Sequence, residues 1–87
     1  MSQNRQTPLL YTLTAGSTLT ISGARSISIL SEGGTTNVVN SLPQTMTLPD
    51  GVTLDMNADG GNTLSNIVVT TAATAYITVL GGVGVLS

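Results

Sequence analysis

The sequence predicts an all-β protein: a small antiparallel β-sandwich, jelly-roll or Greek-key-like, with about eight short strands. Three observations carry that prediction. Apolar and polar residues alternate with period two in run after run, which sets aliphatic side chains on one face of a strand and hydroxyls on the other. Turn signals built on Gly, Pro, Asn and Asp recur about every ten residues, the spacing of sandwiches and barrels. Helical periodicity is nowhere sustained, and 87 residues leave no room for a helix beside so many strands.

Taken in order, residues 1–8, Met1-Ser2-Gln3-Asn4-Arg5-Gln6-Thr7-Pro8, form a polar arm with too little apolar surface to join a core. The domain proper is predicted over 9–80, with strands over 9–14, 18–22, 26–31, 36–40, 45–48, 52–57, 64–70 and 74–80. In the second and third, Leu19, Ile21, Ile27 and Ile29 alternate with Thr18, Thr20, Ser22, Ser26 and Ser28, so each is half buried. Between strands lie Ala15-Gly16-Ser17, Gly23-Ala24, Gly33-Gly34, Ser41-Leu42-Pro43-Gln44 and Asp59-Gly60-Gly61-Asn62. Pro49-Asp50-Gly51, between Met46-Thr47-Leu48 and Val52-Thr53-Leu54, reads as the sharpest hairpin signal in the chain. Ile67-Val68-Val69 and Tyr76-Ile77-Thr78-Val79-Leu80 are denser in apolar residues, as suits central strands or strands covered on both sides by a neighbour. The tail 81–87, Gly81-Gly82-Val83-Gly84-Val85-Leu86-Ser87, is apolar yet Gly-rich. It reads either as a last edge strand of the same domain or as a strand laid along a neighbour's sheet edge.

Composition narrows the function. A domain this small buries a modest core, and here the core has no Phe or Trp and only Tyr11 and Tyr76 as aromatics. With no Cys and no His, disulfides and zinc are closed routes to added stability, which leaves association with copies of itself or with a larger assembly. Charge is scarce: Arg5 and Arg25 stand against Glu32, Asp50, Asp55 and Asp59, for a net −2. A surface of Thr, Ser, Asn and Gln can be covered by a partner without stranding charges. Two Arg cannot make the basic footprint of a nucleic-acid binder, so no nucleic acid is expected as partner. No run approaches the ~18 apolar residues of a membrane helix, and the start is polar, so neither membrane nor signal peptide is expected.

Catalysis is not expected either. Imidazole and thiolate chemistry is excluded by composition, and Asp50, Asp55 and Asp59 sit in turns and polar segments, unlike the facing, partly buried pair of carboxyls that glycoside hydrolysis requires. No cofactor is implied. One string has a site-like spacing: Asp55-Met56-Asn57-Ala58-Asp59-Gly60 matches the opening of a calcium loop, with Asp55, Asn57 and Asp59 as candidate ligands. The position that should supply a bidentate Glu holds Asn66, and the competing reading is a plain Asx-rich turn between strands. Sugar recognition would have to rest on Tyr11 and Tyr76, whose default place is half buried with the hydroxyl at the rim.

Several stretches share a texture with a known group: Ala15-Gly16-Ser17-Thr18-Leu19-Thr20-Ile21, Ser26-Ile27-Ser28-Ile29-Leu30-Ser31-Glu32-Gly33-Gly34, and Ala58-Asp59-Gly60-Gly61-Asn62-Thr63-Leu64-Ser65-Asn66-Ile67-Val68-Val69. The chain resembles the small Thr/Gly-rich β proteins of tailed-bacteriophage virions, above all capsid decoration (cement) proteins. That resemblance implies a module made in the host cytoplasm that sits on the outer capsid surface, often as a homotrimer, and clamps adjacent major capsid protein subunits. The expected contacts are Ser2, Arg5 and Pro8 of the arm and Val83, Val85 and Leu86 of the tail. Alternative readings are a tail, fibre or collar component of the virion, and a small carbohydrate-binding adhesion module.

Overall fold

The structure, a computed structural model, describes residues 7–87. Nine strands and no helix occur among them: β1 Leu9–Thr14, β2 Thr18–Ser22, β3 Ser26–Glu32, β4 Thr36–Val39, β5 Thr45–Leu48, β6 Thr53–Asn57, β7 Ile67–Thr71, β8 Thr74–Leu80 and β9 Val83–Leu86. They form two antiparallel sheets, one in the order β1-β8-β3-β6 and one in the order β5-β4-β7-β2-β9. Successive strands change sheet at every step except β4 to β5. The first eight strands thus follow the double Greek key of a jelly roll, and β9 extends the larger sheet past β2.

The period-two pattern sets the core. Leu19 and Ile21 of β2, Ile27 and Ile29 of β3, Val69 of β7, and Ala75, Ile77 and Val79 of β8 are all buried, facing inward between the sheets. Each fully buried Leu, Ile or Val contributes about 1.5–3 kcal/mol from removed apolar surface. The dense segments around Val68 and Ile77 are the central strands β7 and β8, each flanked on both edges. On β7 even the outer-face residues Val68 and Thr70 are half-buried, whereas on β8 the outer-face Tyr76 and Thr78 are exposed.

One end of the core is polar. Thr36 and Ser31 are fully buried and Thr71 nearly so; Thr36 Oγ1 lies 2.9 Å from Ser31 Oγ and 3.0 Å from Thr71 Oγ1. Ser31 Oγ donates to the Gly34 carbonyl at 2.6 Å, so its acceptor side takes the Thr36 proton, and the Thr71 hydroxyl takes the N–H of Ala73 at 3.2 Å. No buried side-chain polar atom among the described residues lacks a partner. This chain of hydroxyls lets short polar side chains sit inside without the desolvation cost of an unmade bond.

The hairpin expected at Pro49-Asp50-Gly51 is not one. β5 and β6 lie in different sheets, and the turn is a corner between them. The Val52 N–H bonds to the Pro49 carbonyl, with Gly51 at φ +83°, the type II pattern that splays strands where the primed turns of hairpins keep them paired. The corner docks on the end of β3: Gly51 N–H donates to the Ser31 carbonyl at 2.8 Å, and Asp50 Oδ1 accepts the Gly33 N–H at 2.7 Å. The strand expected from Leu64 begins only at Ile67, because the Leu64 N–H is taken by the Ala24 carbonyl of the opposite loop. Likewise β4 stops before Asn40, whose Oδ1 accepts the N–H groups of Leu42 and Gln44 and closes the turn into β5. The tail is the last edge strand: β9 pairs with β2 from Ser22↔Val83 to Leu19↔Leu86.

Candidate functional site

The two sheets differ in charge. No strand of the five-stranded sheet carries a charged residue. Glu32 and Asp55 lie on β3 and β6 of the four-stranded sheet. Asp50 and Arg25 lie in loops that bond to its ends, Arg25 through its N–H to the Leu80 carbonyl and its guanidinium to the Gly60 carbonyl at 2.8 Å.

Register fixes what the five-stranded sheet shows outward. Thr45, Val39, Val68, Thr20 and Val85 stand side by side in one row across all five strands. Thr47, Asn37, Thr70 and Thr18 form the next. Methyl and hydroxyl groups alternate over a surface that a partner could cover without burying a charge.

At the β9 end this face turns into a free edge. Val83, Val85 and Leu86 are each more than half exposed, and Leu10 on neighbouring β1 is 76% exposed. Proteins ordinarily guard such an edge with Lys, Pro, a bulge or an inward charge, and β9 has none of these. Its place is fixed from beneath by Tyr11, which faces inward from β1 opposite Ile77. A Cβ built on Gly84 would lie 2.6 Å from the Tyr11 hydroxyl, so only Gly lets β9 close over that ring.

The other open side of the sandwich, between β5 and β6, carries a shallow cleft of about 300 Å³ lined by Val38, Met46, Leu54, Met56 and Ile67. It is apolar, with Asn40 and Gln44 at one margin, and holds no titratable group.

Asp55 and Asn57, two of the residues expected to bind calcium, stand at alternate outward positions of β6. There Asp55 Oδ1 accepts the Ser28 hydroxyl at 2.6 Å and Asn57 Oδ1 that of Ser26 at 2.8 Å. Asp59 follows in the turn that the Asn62 N–H closes onto the Asp59 carbonyl. Two of the three candidate ligands are therefore cross-strand partners on an extended strand, and the string does not form the compact loop that calcium needs. No group of three or more His, Cys, Asp or Glu placed to hold a metal occurs among the described residues. Tyr11 is turned inward, so Tyr76, 47% exposed on the outer face of β8, is the aromatic left for a sugar to stack on. Ser2 and Arg5 lie outside the described residues; Pro8 is exposed just before β1. The structure brings Val83, Val85 and Leu86 together on one edge and adds the Thr and Val rows beside them. Those rows are in the sequence as charge-free strands, but which strands share a sheet is not.

Compared with known proteins, the chain matches no family model, no curated protein and no solved structure.

Proposed function

We propose that this protein is a structural subunit of a tailed-phage virion, of the capsid decoration type. It binds the outer capsid surface as a symmetric oligomer and clamps adjacent major capsid subunits. The observation that carries the reading is the charge-free five-stranded sheet ending in an unguarded apolar edge, a surface fitted to adhesion. The jelly roll agrees by analogy alone, since it recurs in viral shells and in lectins alike. Many copies of a modest contact, repeated over a shell, sum to a strong hold without any one contact being strong.

Adding purified protein to undecorated shells and counting bound copies tests the reading. Saturable binding to assembled shells, reduced by deleting residues 2–8 or by Val85→Asp, is expected. Binding to tails with none to shells would move the protein to the tail, fibre or collar. Binding to neither would end the virion reading.

A further inference from the structure

The hydrogen-bonding phase of β9 is set by its paired side. Thr18 and Ser87 exchange both backbone bonds, at 3.2 and 2.9 Å. Alternation along an antiparallel ladder then makes Thr20–Val85 and Ser22–Val83 the bonded pairs, so the N–H and C=O groups of Gly84 and Leu86 point away from β2. Among the described residues no strand pairs with that side. The Gly84 carbonyl is approached by the Tyr11 hydroxyl at 3.5 Å, the outer limit for a hydrogen bond, and a carbonyl has a second lone pair to offer.

We propose that a second copy of this chain completes the edge, β9 pairing antiparallel with β9 about a two-fold axis at Val85, so that two five-stranded sheets run on as one. With the axis there, Gly84 of each copy faces Leu86 of the other. Both residues have their backbone groups turned outward, so each of the two facing pairs exchanges two bonds. An axis placed between two residues would set outward groups against inward ones. An axis on Gly84 or on Leu86 would leave a single bonded pair within β9, so the axis on Val85 uses the strand most fully.

The pairing of side chains is the second part of the fit. Directly opposed residues share a face. On the core side, Leu86 of one copy faces Gly84 of the other, where the Tyr11 ring and hydroxyl already fill the place of a Gly84 side chain. On the outer face, Val85 meets its own symmetry mate in the closer, non-hydrogen-bonded type of pair. The two-fold axis sets Val85 against its own copy, so a charge at that position would repel itself; β9 has no charged side chain. The inference stands without the virion reading, and it gives a dimer where the resemblance implies a trimer.

Sedimentation equilibrium of the full chain, from micromolar to millimolar concentration, tests it. A reversible monomer–dimer equilibrium is expected. Leu86→Pro removes an N–H that β2 does not use, and Val85→Lys sets like charges on the axis. Each is expected to weaken the dimer about tenfold or more, since every lost contact is lost twice, while circular dichroism and Tm stay near those of the parent chain. Thr53→Lys on the edge strand β6 is expected to leave the dimer intact. A chain that stays monomeric throughout, one that dimerises only after residues 2–6 are removed, a trimer, or a dimer indifferent to both β9 variants would overturn the proposal.

Discussion

The two sheets share one core and treat their surroundings differently. In the four-stranded sheet, edge strand β6 holds Asp55 outward, bonded to Ser28, and a charge on an edge discourages a second chain from pairing there. In the five-stranded sheet, edge strand β9 shows Val83, Val85 and Leu86 with no charge at all. Pairing does not explain the difference, since both strands pair with a single neighbour. The contrast fits solvent on one edge and a protein partner on the other.

The largest expected effects come from the core that joins the two sheets. Leu19→Ala, under β9, and Ile29→Ala, under β6, should each cost about 2–5 kcal/mol in urea unfolding, in one transition seen alike by every probe. Separate transitions would mean that the sheets are not one cooperative unit. Thr36→Val comes next: it keeps the shape but leaves Ser31 and Thr71 without their shared partner, at a cost of about 1–3 kcal/mol. Gly84→Ala should cost a similar ~1–3 kcal/mol, because the new methyl meets the Tyr11 hydroxyl, and Tyr11→Phe in the same chain should recover part of it.

Smaller still in stability, and sharper for the comparison, are charges placed on the two outer faces. Thr20→Lys on the five-stranded sheet and Thr78→Lys on the four-stranded sheet should each change stability by no more than about 0.5 kcal/mol. Shell occupancy should fall for Thr20→Lys alone. Calcium or a chelator should leave Tm unchanged, as Asp55 and Asn57 are already engaged by serines along β6.

Much of this fold is legible in the sequence. Alternation around Leu19, Ile21, Ile27 and Ile29 gives both the strands and their buried faces, because a half-buried strand needs little beyond its own pattern. What fails is whatever depends on a distant partner. Pro49-Asp50-Gly51 has the composition of a hairpin turn, yet its conformation and its bonds to Ser31 and Gly33 send β6 to the other sheet. Leu64 reads as the first apolar residue of the strand, but the Ala24 carbonyl takes its N–H and the strand begins only at Ile67. The edge at Val83–Leu86 is visible in the sequence as an apolar tail with two readings, and only its register against β2 shows which backbone groups remain free.

Amide hydrogen exchange along β9 tests the central claim most directly. At low concentration the amides of Val83, Val85 and Ser87 should be protected by β2, and those of Gly84 and Leu86 should exchange fast; at high concentration, or on shells, Gly84 and Leu86 should become protected as well. Exchange at Gly84 and Leu86 that stays fast at every concentration and on every shell would contradict it.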